Sequence, residues 1–212
     1  MTGKLATPKA LASRIADAVQ ALPPLQDRHL VAIAGPPGSG KTTAASLATT
    51  ELNLRGVATG LVSMDGFHYD NVILKGRGLL NCKGSPETFD LAGFHALLGR
   101  LRTEGEVAVP EFVRNLDLAI AARSMITADQ RVVLVEGNYL LLNEPGWSEL
   151  HQLWTFKVFL DTDLKTLETR LTNRWIGHGL NKKAAMDRAQ SNDLPNAERV
   201  IQNSVSGDLA LT

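Results

Sequence analysis

Cysteine is nearly missing from this chain: Cys82 stands alone among 212 residues. One thiol excludes an internal disulfide and any cysteine-only metal site, and it fits a reducing compartment. An excess of either charge is missing too. Twenty-two Lys and Arg balance twenty-two Asp and Glu, for a formal net charge of zero. No general electrostatic pull toward nucleic acid or an anionic membrane follows from that balance. Aromatic residues make up 5% of the chain, a poor supply for the stacking surfaces that nucleic-acid binders use. No apolar stretch approaches the roughly 20 residues needed to span a bilayer. Arg14 and Asp17 interrupt what would be the apolar region of a signal peptide. Internal repeats and low-complexity tracts are absent as well. The expectation is a cytoplasmic protein with no nucleic-acid and no membrane partner, built as one domain over 1–212 or as one with a modest insertion.

What is present is a phosphate-binding loop. Gly35-Pro36-Pro37-Gly38-Ser39-Gly40-Lys41-Thr42 fits G-x-x-x-x-G-K-[ST] at every fixed position. The apolar run Leu30–Ala34 precedes it, and an alanine-rich stretch that should be helical follows. Strand, glycine loop and helix are the context this motif requires. Glycines let the backbone approach a phosphate and adopt positive φ. Successive N–H groups then line one concavity, and the helix adds the positive end of its dipole. Lys41 brings a point charge to the β- and γ-phosphates, and the Thr42 hydroxyl is placed for Mg²⁺. Thr43 closes this nucleotide-binding set and reads as a helix-surface or packing position. The chain is therefore expected to bind a nucleoside triphosphate.

Strand-like and helical runs alternate along the sequence. Thr7 caps a first helix over 7–22, with Pro8 at its first position and Leu11, Ile15, Val19 and Leu22 on one face. Strands are predicted at Leu30–Ala34, Val57–Ser63, Val107–Val109, Arg131–Glu136, Phe156–Leu160 and Asp208–Thr212. Helices are predicted at Gly40–Leu54, Asp90–Arg102, Leu164–Trp175, Lys182–Gln190 and Ala197–Asn203. Residues 66–88 lack periodicity and form a long segment of the kind that is functional or disordered. Near-continuous Val/Leu/Ile strands separated by helices indicate a parallel sheet covered on both faces. Ligands on such sheets bind at the carboxyl ends of the strands. The glycine loop, Asp65 and Glu136 all fall there.

Several side chains are candidates for chemistry. Asp65 ends the second strand, where it could take a proton from an acceptor hydroxyl; an Asp-Gly turn is the plain alternative. His68 could orient substrate or simply be a loop histidine. Glu136 follows Val132–Val135 as an acid at a strand end, able to reach Mg²⁺ directly or through water. Tyr139 reads equally as a substrate contact or an interior ring. Arg170 and Arg174 share a helix face and could clamp transferring phosphate from a closing lid over about 164–190, with Gly177-His178-Gly179 as a hinge. A solvated helix face is the bland alternative. Arg114 could bind an acceptor or be a surface arginine, and Lys83 is a charged loop residue.

The ordered set of motifs resembles a known superfamily. Gly35–Thr42, Met64–His68, Lys83–Asp90, Val135–Tyr139 and Arg170–Arg174 occur in this order. Together they resemble the P-loop kinases of the phosphoribulokinase, uridine kinase and pantothenate kinase superfamily. Glu144–Trp147 and Asn192–Ala197 resemble its branch of fructose transport system kinases. The resemblance covers nearly the whole chain from Leu30. It implies a three-layer α/β/α P-loop fold with a mainly parallel five-stranded sheet and a helical lid. It further implies ATP and Mg²⁺, and transfer of a γ-phosphate to the hydroxyl of a small metabolite such as fructose. Asp65 is then the general base, Arg174 with Arg170 belongs to the lid, and Pro110–Arg114 and Tyr139 lie in acceptor regions. Val113 departs from the polar residue expected beside the substrate arginine, and the larger pantothenate kinase substrate region is missing. A nucleoside (uridine-like) or pantothenate-like kinase is the nearest rival reading. A regulatory P-loop NTPase without a small acceptor is the rival of another class. A homodimer stays open.

Overall fold

The computed structural model describes residues 7–212, so positions 1–6 of the expected domain lie outside the described residues. In chain order the elements are α1 (Pro8–Gln20), β1 (His29–Ala34), α2 (Lys41–Leu54), β2 (Thr59–Ser63), α3 (Asn71–Gly76), α4 (Leu91–Thr103), β3 (Val107–Val113), β4 (Leu118–Ile126), β5 (Val132–Gly137), β6 (Phe156–Leu160), α5 (Leu164–Gly177), α6 (Lys182–Arg188), α7 (Leu194–Asn203) and β7 (Leu209–Leu211). Local chemistry sets their starts. The Thr7 hydroxyl accepts from the Ala10 amide and Pro8 opens α1. Asp90, Asp163 and Asn181 cap α4, α5 and α6 in the same manner, each satisfying an amide that the helix leaves unpaired.

Five strands form one parallel sheet in the order β2-β5-β1-β6-β7. Strand side chains alternate between its faces. Leu30, Ala32 and Ala34 join the core under α4, while Val31 and Ile33 join the core under α1 and α2. The result is three layers, helix on sheet on helix. Buried strands covered on both sides read as continuous apolar runs, which is why they were legible. Ile33 and Ser63 both lie level with Glu136, so β1, β2 and β5 finish together. At the opposite end of the sheet Arg28, 5% exposed, donates to the carbonyls of Leu101, Glu104, Gly105, Thr127 and Gln130. That arginine fastens α4 and the start of β5 beneath β1.

Three expectations need correction. Val107–Val109 is not a short strand ending at Pro110. β3 runs on to Val113 and pairs with β4 as a separate antiparallel hairpin. Pro110 is tolerated because the register shifts between Val109 and Glu111, and a bulge needs no ladder donor from it. Residues 66–88 are not one long loop. They hold α3, capped by Asp70, and short 3-10 turns at Leu80–Cys82 and Pro86–Thr88. The last two helices are not separate, since a π turn at Ala189–Asp193 joins α6 to α7. No helix among the described residues is long and apolar enough to cross a membrane.

Candidate active site

The carboxyl ends of β1, β2 and β5 open into a cleft of about 670 Å³. The glycine loop forms its floor. Gly40 sits at φ +92° and precedes α2 without any side-chain cap. Only a residue free of Cβ strain adopts that backbone readily, and the uncapped helix leaves its first amides without partners. Ser39 donates its amide to the Pro36 carbonyl, closing the turn. Its hydroxyl is buried with no hydrogen-bond partner among the described residues. Pro37, Gly38, Gly40, Lys41, Thr42 and Thr43 line the cleft, whereas Gly35, Pro36 and Ser39 shape the loop behind it.

Lys41 is 8% exposed. Burial pulls its ammonium below the usual lysine range, while the carboxylates of Glu136 and Asp65 push back. Glu136 is 2% exposed. It accepts from the Thr42 hydroxyl at 3.1 Å and from Ser63 Oγ. Burial, with the Asp65 charge second, lifts its carboxyl above the ordinary range. A buried acid that resists ionising is a seat for a cation. The donor set here is a hydroxyl and a carboxylate, oxygen only, which suits Mg²⁺. Unpaired loop amides, an orphan Ser39 hydroxyl and a buried lysine likewise fit a polyphosphate. The chain's own residues thus match both expected groups. Among the described residues no cluster of three or more His, Cys, Asp or Glu offers a metal cage, so phosphate oxygens and water would complete such a shell.

Asp65 lies in the first turn of a 3-10 segment, Met64–Phe67, whose start the Ser63 hydroxyl holds by accepting from the Asp65 amide. The Asp-Gly step also has a packing cause. A Cβ on Gly66 would stand 2.5 Å from the Pro110 carbonyl oxygen, so the turn and the hairpin approach as closely as backbones can. That contact aims the hairpin tip at Asp65, where Arg114 Nη2 donates to its carboxylate at 3.2 Å. His68 Nδ1 donates to the Asp65 carbonyl at 2.8 Å; a carbonyl only accepts, so Nδ1 carries the proton. Its ring lies 4.1 Å from Phe89 and 4.9 Å from Phe112, and all three line the cleft.

Asp65, His68, Lys83, Arg114, Glu136 and Arg174 therefore share one cavity with the loop. Lys83 is committed elsewhere in it: its ammonium donates to Asn71 at 2.8 Å and to Asp117 at 2.9 Å, tying the 66–88 segment to the hairpin tip. Besides Gly35, Pro36 and Ser39, two expected site residues are not brought to the cleft. Tyr139 is fully buried against Phe89 and Trp147, and its hydroxyl donates to the Gly84 carbonyl. Burial drives its phenol well above the usual range, so it supports the wall from behind. Arg170 reaches the Gly38 and Ser39 carbonyls at 3.1 and 3.2 Å; it braces the loop from outside the cavity. Sequence reasoning missed Asp117, and it gave no individual task to Phe112 within Pro110–Arg114 or to Asn192 within Asn192–Ala197. Phe112 and Asp117 belong to a hairpin with no clear period, and Asn192 points inward only through the π turn.

Comparison with known proteins agrees with this geometry. A family model described as phosphoribulokinase / uridine kinase matches residues 30–206. The chain is 35% identical over 188 residues to YggC, an uncharacterized protein of Escherichia coli, covering 87% of this chain and 77% of that one. It is 31% identical over 199 residues to a protein of Schizosaccharomyces pombe named "putative uridine kinase", covering 88% and 83%. A solved structure from Silicibacter sp. TM1040, described as a "putative fructose transport system kinase", superposes with a TM-score of 0.90 at 41% identity, over 98% of this chain and 100% of that one. A glycine loop with a buried lysine, acids at the ends of β5 and β2, and a match spanning 30–206 lead to one conclusion: the chain belongs to the phosphoribulokinase / uridine kinase family of kinases.

Proposed function

We propose that the protein transfers the γ-phosphate of ATP to a hydroxyl of a small metabolite, a sugar such as fructose being the favoured acceptor. The observation that carries this is the convergence of Asp65 with the phosphate loop in one cleft. Asp65 is close enough for its charge to bear on both Lys41 and Glu136. In this reading the loop amides and Lys41 hold the β- and γ-phosphates. Thr42 and Glu136 hold Mg²⁺, which when bound neutralises charge on the transferring group. Asp65 orients the acceptor hydroxyl and takes its proton. Arg114, now paired with Asp65, meets the acceptor when that hydroxyl takes its place. Arg174 faces Lys41 from the lid side, near enough for their like charges to interact, and stabilises the charge that spreads over the phosphoryl oxygens. Arg170 keeps the loop in shape, and Tyr139 keeps the Gly84 wall in place.

The sugar reading draws on the described name of the Silicibacter structure. A nucleoside acceptor is the second reading. The Phe89 and Phe112 rings in the cleft offer faces on which a base could stack, and the Schizosaccharomyces relative is named for uridine.

The test is a screen of sugars, polyols, nucleosides and pantothenate with ATP and Mg²⁺, scoring ADP release above the acceptor-free blank. Acceptor-dependent release confined to ketohexoses supports the sugar reading. Release confined to pyrimidine nucleosides replaces it with the nucleoside reading. ATP turnover that rises with no metabolite but with a protein partner would favour a regulatory NTPase.

A further inference from the structure

α6 does not end at Arg188. The chain continues through the π turn Ala189–Asp193 into α7. The Leu194 amide reaches back five residues to the Ala189 carbonyl. The next residue, Pro195, has no N–H to offer. The helix therefore widens where a regular ladder would lose a bond and crowd the proline ring. Such turns redirect side chains and recur at functional sites.

Here the widening sends two neighbours, Asn192 and Asp193, into the cleft, each only 7% exposed. Asn192 donates to the Lys83 carbonyl at 3.0 Å. Asp193 accepts from Arg174 Nη2 at 3.0 Å on one oxygen and from the Trp175 indole N–H on the other. Both partners lie in α5, and both line the same cleft. A buried carboxylate that receives two donors holds them in one geometry. Arg174 is otherwise a long, rotamer-rich side chain with no other hydrogen bond among the described residues, and a fixed guanidinium loses less freedom on meeting a phosphate.

We propose that Asp193 is a positioning residue for phosphoryl transfer: from the π turn it holds Arg174 against the terminal phosphate of the nucleotide. This rests on the role given to Arg174 above. It assigns the Asn192–Ala197 segment a task beyond packing, since one turn of helix fixes the phosphate-side arginine through Asp193 and the acceptor-side wall through Asn192.

The experiment is a set of calorimetric titrations with Mg-ATP and Mg-ADP on the wild type, Asp193→Asn, Arg174→Ala and the double variant. ATP and ADP differ only by the group that Arg174 is proposed to meet. The expected result is a loss of about tenfold in ATP affinity for each single variant, the size of one charge-assisted contact, with ADP affinity held within about twofold. In the double variant the loss is no greater than in Arg174→Ala. A merely structural Asp193 would weaken both nucleotides alike, or its loss would multiply with that of Arg174→Ala; either outcome overturns the proposal. Asp193→Glu keeps the charge one methylene further out and should recover part of the ATP-over-ADP ratio; it carries the comparison if Asp193→Asn does not fold. If Arg174→Ala leaves the ratio unchanged, the role given to Arg174 fails and takes this proposal with it. If the wild type binds neither nucleotide, the kinase reading itself fails.

Discussion

At the residue scale the account turns on ionisable side chains placed out of water. In the proposed mechanism Asp65 takes the acceptor's proton, so Asp65→Asn should reduce kcat by on the order of 10² or more while ATP affinity is retained. Acceptor-dependent ADP release at the wild-type rate would reject Asp65 as the base. His68 supplies a pH-dependent test. Burial holds its imidazole below the ordinary 6.5, outweighing the nearby Asp65 carboxylate. Folded His68 thus binds a proton more weakly than unfolded His68. The stability it contributes is present above pH 6.5 and is lost as pH falls through the lower folded value. Melting temperatures of the wild type should therefore drop more steeply on acidification than those of His68→Gln, and parallel profiles would contradict this. Asp65, Glu136 and the loop were legible because strand ends and glycine spacing are local properties of sequence. Tyr139 was not, because its burial depends on Trp147 and Phe89, which lie 8 and 50 residues away. Arg170 lies on α5 one turn from Arg174, but its partners are loop carbonyls, which the sequence does not display.

At the element scale the hairpin β3–β4 is what sequence reasoning missed, and its Phe112, Arg114 and Asp117 shape one end of the cleft. Its strands are half exposed, so neither shows a clean apolar period, and Pro110 reads as a strand terminator. The bulge opposite Pro110 carries Ala122 at φ +51°, a left-handed backbone that costs a non-glycine residue about 1–2 kcal/mol. Ala122→Gly should relieve that strain and raise stability by about 1 kcal/mol in urea denaturation, less the extra freedom glycine gains when unfolded. A loss of stability would show that the Ala122 methyl packs in a way that offsets the strain. Helix α1 was legible from its Thr7 cap and apolar stripe, and α4 from the spacing of Phe94, Leu97, Leu98 and Leu101. The π turn was not, because its signal is a single proline whose effect falls one turn earlier. Arg199 ties these elements together, donating to Glu144 at 2.8 Å and Glu87 at 2.7 Å. Two segments that read as family motifs are thus bound by one arginine of α7.

At the scale of the whole molecule the sheet order β2-β5-β1-β6-β7 gathers three strand ends that are far apart in sequence. The parallel, doubly covered sheet followed from the run of buried apolar strands. The order of those strands did not, since register and neighbour choice depend on packing that no single segment encodes. The cleft that results has a glycine-loop floor between β1 and α2, a carboxylate wall from β2 and β5, a basic side from α5, and a far end closed by Leu80, Lys83, Gly84 and the hairpin. Its central claim is that the floor binds nucleoside triphosphate through Lys41 and the loop amides. Titration calorimetry of the wild type and Lys41→Ala with Mg-ATP tests this most directly. Saturable heat with a Kd of roughly 1 µM to 1 mM is expected for the wild type, with affinity at least about tenfold weaker in Lys41→Ala. No binding heat from the wild type, or equal affinity in the two proteins, would contradict it.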